Sequence, residues 1–180
     1  LQTSIKGLFA LGECNFSDHG ANRLGASALM QGLSDGYFVI PYTMQNYLSD
    51  QIQVPHIDTN APEFEEAEKG VQAEIDRIYN IKGDESVDHI HKKLYHIMWD
   101  YVGMARNEKG LKKALAMLKD IRKEFNEHVR IPGDKEGLNT ELDKAIHLRD
   151  FITMGELIAY DALERNESCG GHFREESQTE

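Results

Sequence analysis

Apolar positions follow two regimes along the chain. Residues 7–12, Gly-Leu-Phe-Ala-Leu-Gly, form a short unbroken apolar run between glycines, the pattern of a buried strand. The run stops at Glu13, and a loop rich in Gly, Asn and Asp leads to Gly25. From about Ser27 to Leu48 apolar residues return at Leu29, Met30, Leu33, Tyr37, Val39 and Ile40, which predicts a helix. Pro41 should break or kink it, because proline has no amide to donate and its ring crowds the preceding turn. Residues 51–62, with Pro55, Asn60 and Pro62, read as a linker.

Beyond residue 62 the period is helical throughout. Phe64, Ala67, Val71, Ile75 and Ile78 mark one stripe, and Val87, Ile90, Leu94, Ile97, Met98 and Tyr101 a second behind a Ser86 cap. Leu111, Ala114, Leu115, Leu118, Ile121 and Phe125 give a third. After Pro132-Gly133-Asp134, Leu138, Leu142, Ala145, Leu148, Ile152, Gly155 and Ala159 mark a long fourth. Each stripe lies on an otherwise charged helix and needs a partner, and short connections favour antiparallel neighbours in a bundle. The expected class is mainly α: a helical bundle over 63–180, preceded by a strand-loop-helix piece over 1–50.

Charge and composition narrow the function. The chain has 180 residues with a net charge of −11, which argues against a nucleic-acid binder. No apolar stretch is long enough for a membrane span, and nothing reads as a signal peptide. Cys14 and Cys169 are far apart and form no CxxC pair, which points to a reducing compartment. Residues 1–60 carry only Lys6 and Arg23 against five acids, whereas residues 61–180 carry 18 basic and 26 acidic residues. The sparsely charged start, opening on Leu1 directly before an apolar run, suggests a piece of a larger protein.

The candidate chemistry lies in the loop from Gly12-Glu13 to His19-Gly20-Ala21-Asn22-Arg23-Leu24-Gly25. A strand ending in an acid, a glycine-bracketed loop and a helix start is how α/β folds hold a nucleotide cofactor. A carboxylate there accepts hydrogen bonds from sugar hydroxyls, and glycines let backbone approach a flat ring. A helix opening near Ser27 favours an anion, and the planar fork of Arg23 fits a carboxylate. An ordinary strand-loop-helix with a solvated arginine satisfies the same spacing.

Thr3-Ser4-Ile5-Lys6-Gly7-Leu8-Phe9-Ala10-Leu11-Gly12-Glu13-Cys14 with His19-Gly20-Ala21-Asn22-Arg23-Leu24-Gly25 resembles the flavoprotein subunit of succinate dehydrogenase and fumarate reductase. The superfamily includes L-aspartate oxidase and adenylylsulfate reductase. Arg165-Asn166-Glu167-Ser168-Cys169-Gly170-Gly171-His172-Phe173-Arg174 is similar to the family's Arg-x-Glu-Ser-Arg-Gly-Ala-His-x-Arg. The resemblance implies that residues 1–50 end an FAD-binding α/β domain and that 63–180 are the family's C-terminal helical domain.

By the same resemblance, Glu13 matches an acid that contacts FAD and Arg23 the arginine that grips a carboxylate of succinate or fumarate. Ala28 and Leu29 stand where the family's Ser-Leu backbone lies against the flavin, while His19, Gly20, Asn22 and Gly25 orient the loop. The family's Gly-Asn-Ser-Leu is here Ala26-Ser27-Ala28-Leu29, and Cys169 replaces an arginine. No Gly-x-Gly-x-x-Gly occurs, and the family's proton-shuttling arginine and flavin-linking histidine have no counterpart, so no catalytic residue is assigned. The family implies an iron–sulfur subunit, a membrane-anchor subunit and a quinone as electron partners. It also implies a cytoplasmic location, peripheral to the inner face of the cell membrane, and a chain inactive alone. An L-aspartate oxidase fragment and an independent helical interaction module are the alternatives.

Other features have plainer readings. His89, His91 and His96 with Asp88 and Asp100 diverge around a helix and read as polar-face residues rather than a metal site. Glu63, Glu65, Glu66 and Glu68 are helix-start acids. Trp99 and Tyr101 read as core, and Cys14 as a buried thiol.

Overall fold

A computed structural model describes residues 1–15, 25–135, 137–168 and 172–178. The chain is mainly α and separates into two compact units, one holding Leu1–Asp58 and Ser168–Gly171, the other Thr59–Glu167 and His172–Glu180.

In the second unit, helices α3 (Pro62–Tyr79), α4 (Val87–Val102), α5 (Glu108–His128) and α6 (Thr140–Glu164) follow the expected stripes. Two parallel strand pairs of two residues each fix their directions. Strand β1 (Glu85–Ser86), just before α4, pairs with β3 (Val129–Arg130), just after α5; β2 (Ala105–Arg106), between α4 and α5, pairs with β4 (Phe173–Arg174), beyond α6. The start of α4 therefore lies by the end of α5, and the ends of α4 and α6 lie together. The three helices run up, down and up around one core, in which Ile90, Leu111, Leu118, Phe125, Leu148 and Ile152 are fully or almost fully buried.

Caps set the helix starts. Ser86 accepts from the amide of His89, as its position predicts. Asn107 accepts from Gly110, and Asn139 from both Glu141 and Leu142. Asn139 also donates to the carbonyls of Pro132 and Asp134, so one side chain closes the loop before α6 and opens the helix. Gly155 brings the helices close: a Cβ there would stand 3.1 Å from Met98 Sδ and 3.6 Å from methyl carbons of Leu118 and Leu94. Ion pairs cross the seams, Lys93 with Glu124 between α4 and α5, and Arg122 with Glu156 at 2.6 Å between α5 and α6.

Three expectations change here. Leu138 lies outside α6, almost wholly exposed, because Asn139 starts the helix one residue later. Phe64 and Val71 on α3 are exposed; only its last turns, from Ile75 to Tyr79, reach the core. Trp99 is 70% exposed, stacked on Tyr95 along the outer face of α4, while Tyr101 is half-buried against the core.

In the first unit, α1 (Ser27–Ser34) and α2 (Ile40–Tyr47) are joined by a π-helical turn, Asp35–Val39. Pro41 sits in the first turn of α2, directly after the widened turn, where its missing amide costs least. A 3₁₀ turn, Ser49–Gln51, follows, and residues 51–60 are exposed. Residues 7–12 are not a buried strand. They double back on residues 1–3 through one antiparallel bridge, Gln2 with Phe9, and Leu8 is exposed. Ala28 is the one buried apolar side chain among this unit's described residues.

Candidate functional site

The turn that carries Glu13 is built from the glycine before it. Thr3 donates to Leu8 O and Ala10 to Leu1 O, which makes residues 1–10 a narrow hairpin. Gly12, at φ +70°, then swings the chain into a 3₁₀ turn, Gly12–Cys14. A Cβ on Gly12 would lie 3.4 Å from the Cα of Gly32, so the turn rests on α1 backbone to backbone. The Gly12 amide donates to Oδ2 of Asp35 at 2.9 Å, and Gln31 Nε2 donates to the carbonyl of Asn15 at 3.1 Å. Glu13 itself is exposed. Cys14 is exposed as well, its thiol donating to Leu11 O at 2.9 Å, which corrects the expectation of a buried thiol.

Helix α1 starts behind Ala26, whose φ of 62° places a non-glycine residue in the left-handed region. Ala28 is buried and Leu29 is 69% exposed, so the first turn turns one residue inward and the next outward. Among the described residues, nothing lies within 4 Å of where a Cβ would stand on Gly25. His19, Gly20, Asn22 and Arg23 lie outside the described residues. The described part offers an exposed carboxylate at the end of the hairpin, open space at Gly25 and a helix start. That donor and acceptor set fits the hydroxyls and the flat ring of a flavin nucleotide.

The second motif folds inward onto helix ends. The Arg174 guanidinium, 2% exposed, donates through Nη1 to Ala162 O at 2.8 Å, Leu163 O at 3.0 Å and Arg165 O at 3.2 Å, satisfying the last carbonyls of α6. Arg106 does the same for α4 through Val102 O and Gly103 O. His172 lies between them, with Nδ1 2.8 Å from Arg106 Nη1 and Nε2 3.1 Å from Arg165 O. Guanidinium only donates, so Nδ1 accepts and the ring proton sits on Nε2. Burial pulls the Arg106 guanidinium below its usual value; Arg165 adds to this and Asp161 opposes it. Sequence reasoning treated this stretch as a family marker and missed its capping role. The signal available was Arg106, four residues beyond the end of α4; Arg174 lies ten residues beyond the end of α6 and gave none.

Asp35 was also missed, since an acid inside an amphipathic helix reads as solvated. It is 8% exposed. His89, His91 and His96 are exposed, and among the described residues no group of three His, Cys, Asp or Glu side chains could hold a metal. Glu63 and Glu65 occupy the first turn of α3. A groove of about 340 Å³ between α4 and α5 is lined by Ile97, Met117 and Ile121 together with Lys93, His96, Asp100, Tyr101 and Asp120. No described helix is long and apolar enough to cross a membrane.

Known proteins resemble the chain along nearly its whole length. An uncharacterised FAD-dependent oxidoreductase of Methanocaldococcus jannaschii is 33% identical over 97% of this chain and 30% of its own. The fumarate reductase flavoprotein subunit of Haemophilus influenzae is 29% identical over 96% of this chain and 28% of its own, and the L-aspartate oxidase of Yersinia pestis 26% over 96% and 28%. A quinol–fumarate reductase solved with menaquinol molecules superposes with a TM-score of 0.76 at 29% identity, over 96% of this chain and 29% of that one. The chain thus spans about three-tenths of the length of these relatives. With the family model described as "Fumarate reductase flavoprotein C-term" matching residues 91–180, half of the sequence, the chain belongs to that family.

Proposed function

We propose that this chain is the C-terminal part of an FAD-dependent flavoprotein subunit that interconverts succinate and fumarate. Its electrons pass to an iron–sulfur subunit and then, through a membrane-anchor subunit, to quinone, which places the protein at the inner face of the cell membrane. Residues 1–50 end the FAD-binding domain, 51–62 link it, and 63–180 are the helical domain. The observation that carries this reading is the similarity to fumarate reductase flavoprotein subunits along 96% of the chain.

The residues take the following parts. Glu13 accepts hydrogen bonds from cofactor hydroxyls, and the backbone at Ala28 and Leu29 faces the ring with the positive end of α1. Arg23 holds one carboxylate of the dicarboxylate with two hydrogen bonds, and His19, Gly20, Asn22 and Gly25 shape the loop that aims it. Two-electron chemistry is what FAD supplies when bound; this chain contributes binding, orientation and charge.

The test is expression of the full-length protein with and without Arg23→Lys. One equivalent of flavin, and succinate–dye turnover that falls at least about 100-fold in the variant, is the expected result. The 180-residue chain alone should purify without flavin and without turnover. A full-length protein that lacks flavin overturns the reading. The match to L-aspartate oxidases favours one second reading. It predicts turnover of L-aspartate in place of succinate.

A further inference from the structure

Asp35 is costly where it stands. It lies inside a helical rod that runs from Ser27 to Tyr47, aspartate is a poor helix former, and burying a carboxylate without a partner is strongly unfavourable. It opens the π turn, its carbonyl accepting from the amide of Ile40 five residues on. Such widened turns insert one residue and re-aim the side chains around them. What this re-aiming delivers is the contact with the Gly12 amide, 23 positions earlier in the chain, at 2.9 Å and away from water. Gly12 is the residue before Glu13, and its φ of +70° sets the direction in which the next side chain leaves the hairpin. The Gly12–Gly32 contact and the hydrogen bonds from Gln31 to Asn15 O, from the Asn15 amide to Gly12 O and from the Cys14 thiol to Leu11 O hold the same turn, but none of them engages the Gly12 amide.

We propose that Asp35 is a positioning residue for the cofactor end of the site, locking the Gly12 peptide and thereby the Glu13 carboxylate. It acts through Gly12 and Glu13 and touches no ligand itself. This rests on the assignment of Glu13 to FAD made above, and it adds a residue from the π turn to that end of the site.

The test uses the full-length flavoprotein. Asp35→Ala leaves the Gly12 amide without its acceptor, and the Kd for FAD, titrated into the apoprotein, should rise about 10- to 100-fold, the span of one charge-assisted hydrogen bond. The flavin absorbance bands should shift. At saturating FAD the KM for succinate should not move, because Arg23 stands nine residues beyond the turn in the sequence. Asp35→Asn keeps an acceptor at the same reach and should hold FAD close to wild type. If Asp35→Ala gives no soluble protein, Asp35→Glu moves the acceptor by one methylene and should weaken FAD binding while the melting temperature holds. Wild-type FAD affinity and spectrum in the Ala or Glu variant overturn this inference alone. A flavin-free wild type overturns the Glu13 assignment and this inference with it.

Discussion

Single residues show where backbone, not side chain, sets the limits. A Cβ on Gly83 would stand 1.9 Å from the carbonyl oxygen of His128 and 2.0 Å from its carbon, with backbone on both sides of the clash. Gly83→Ala should therefore cost at least about 2–3 kcal/mol, the upper range for overpacking, read as a lower urea midpoint. Gly70, in the exposed first half of α3, has nothing within 4 Å of a Cβ among the described residues, so Gly70→Ala should raise stability by about 0.5–1 kcal/mol through helix propensity alone. Ala26 is the reverse case: its left-handed φ of 62° costs about 1–2 kcal/mol, and Ala26→Gly should recover part of it. The family's Gly-Asn-Ser-Leu carries glycine at this position, so the departure noted in the sequence is also the strained one. No periodicity could have revealed Asp35 or Arg174, because both are polar residues whose burial depends on a partner 11 to 23 positions away.

At the scale of elements, the caps and ion pairs make separable predictions. Asn139→Ala removes the cap of α6 together with both donors to the preceding loop and should cost about 1–2 kcal/mol; Asn139→Asp keeps the cap and should cost less. Helix α3 meets α6 through Ile78 and through Arg149, which lies 3.4 Å from Glu74. The hydrogen bond from Arg77, with Arg149 adding to it, holds the Glu74 carboxyl below its usual range. The amide of Glu108 at the start of α5 does the same for Glu176, helped by Arg174. A carboxylate depressed in the folded state adds stability that is complete above its unfolded value and is lost as pH falls through the folded one. Acidification below the ordinary carboxylate range should therefore erase the Arg149–Glu74 coupling, about 0.3–1 kcal/mol by double-mutant cycle at neutral pH, and 1 M salt should shrink it. The helices themselves were legible, since four stripes at a period near 3.6 left little choice. Their ends were not: Leu138 fits the α6 stripe, yet Asn139 stops the helix from reaching it.

The whole molecule divides by how each unit is held together. Residues from Ile78 to Ala162 share one contiguous core, whereas the described residues of the first unit bury a single apolar side chain, Ala28. Amide exchange should be slowest in α4, α5 and α6 and fast through the described residues of the first unit, and limited proteolysis should cut within the exposed stretch at 51–60 while the helical unit survives. Faster exchange in α5 than in α1 would contradict this.

The pairing of β2 with β4 also has a consequence for the order in which the chain takes shape. Ala105 meets Phe173 and Arg106 meets Arg174, and the amide of Glu108 at the start of α5 finds its carboxylate 68 residues downstream, on Glu176. On the ribosome, α4 and α5 emerge and pack with one end of their bundle unfinished. That end closes only once residues 173–176 are available to pair with Ala105, Arg106 and the Glu108 amide. A nascent chain arrested before residue 173 should hold a helical but open bundle, and release should bring a slow concluding step set by long-range closure.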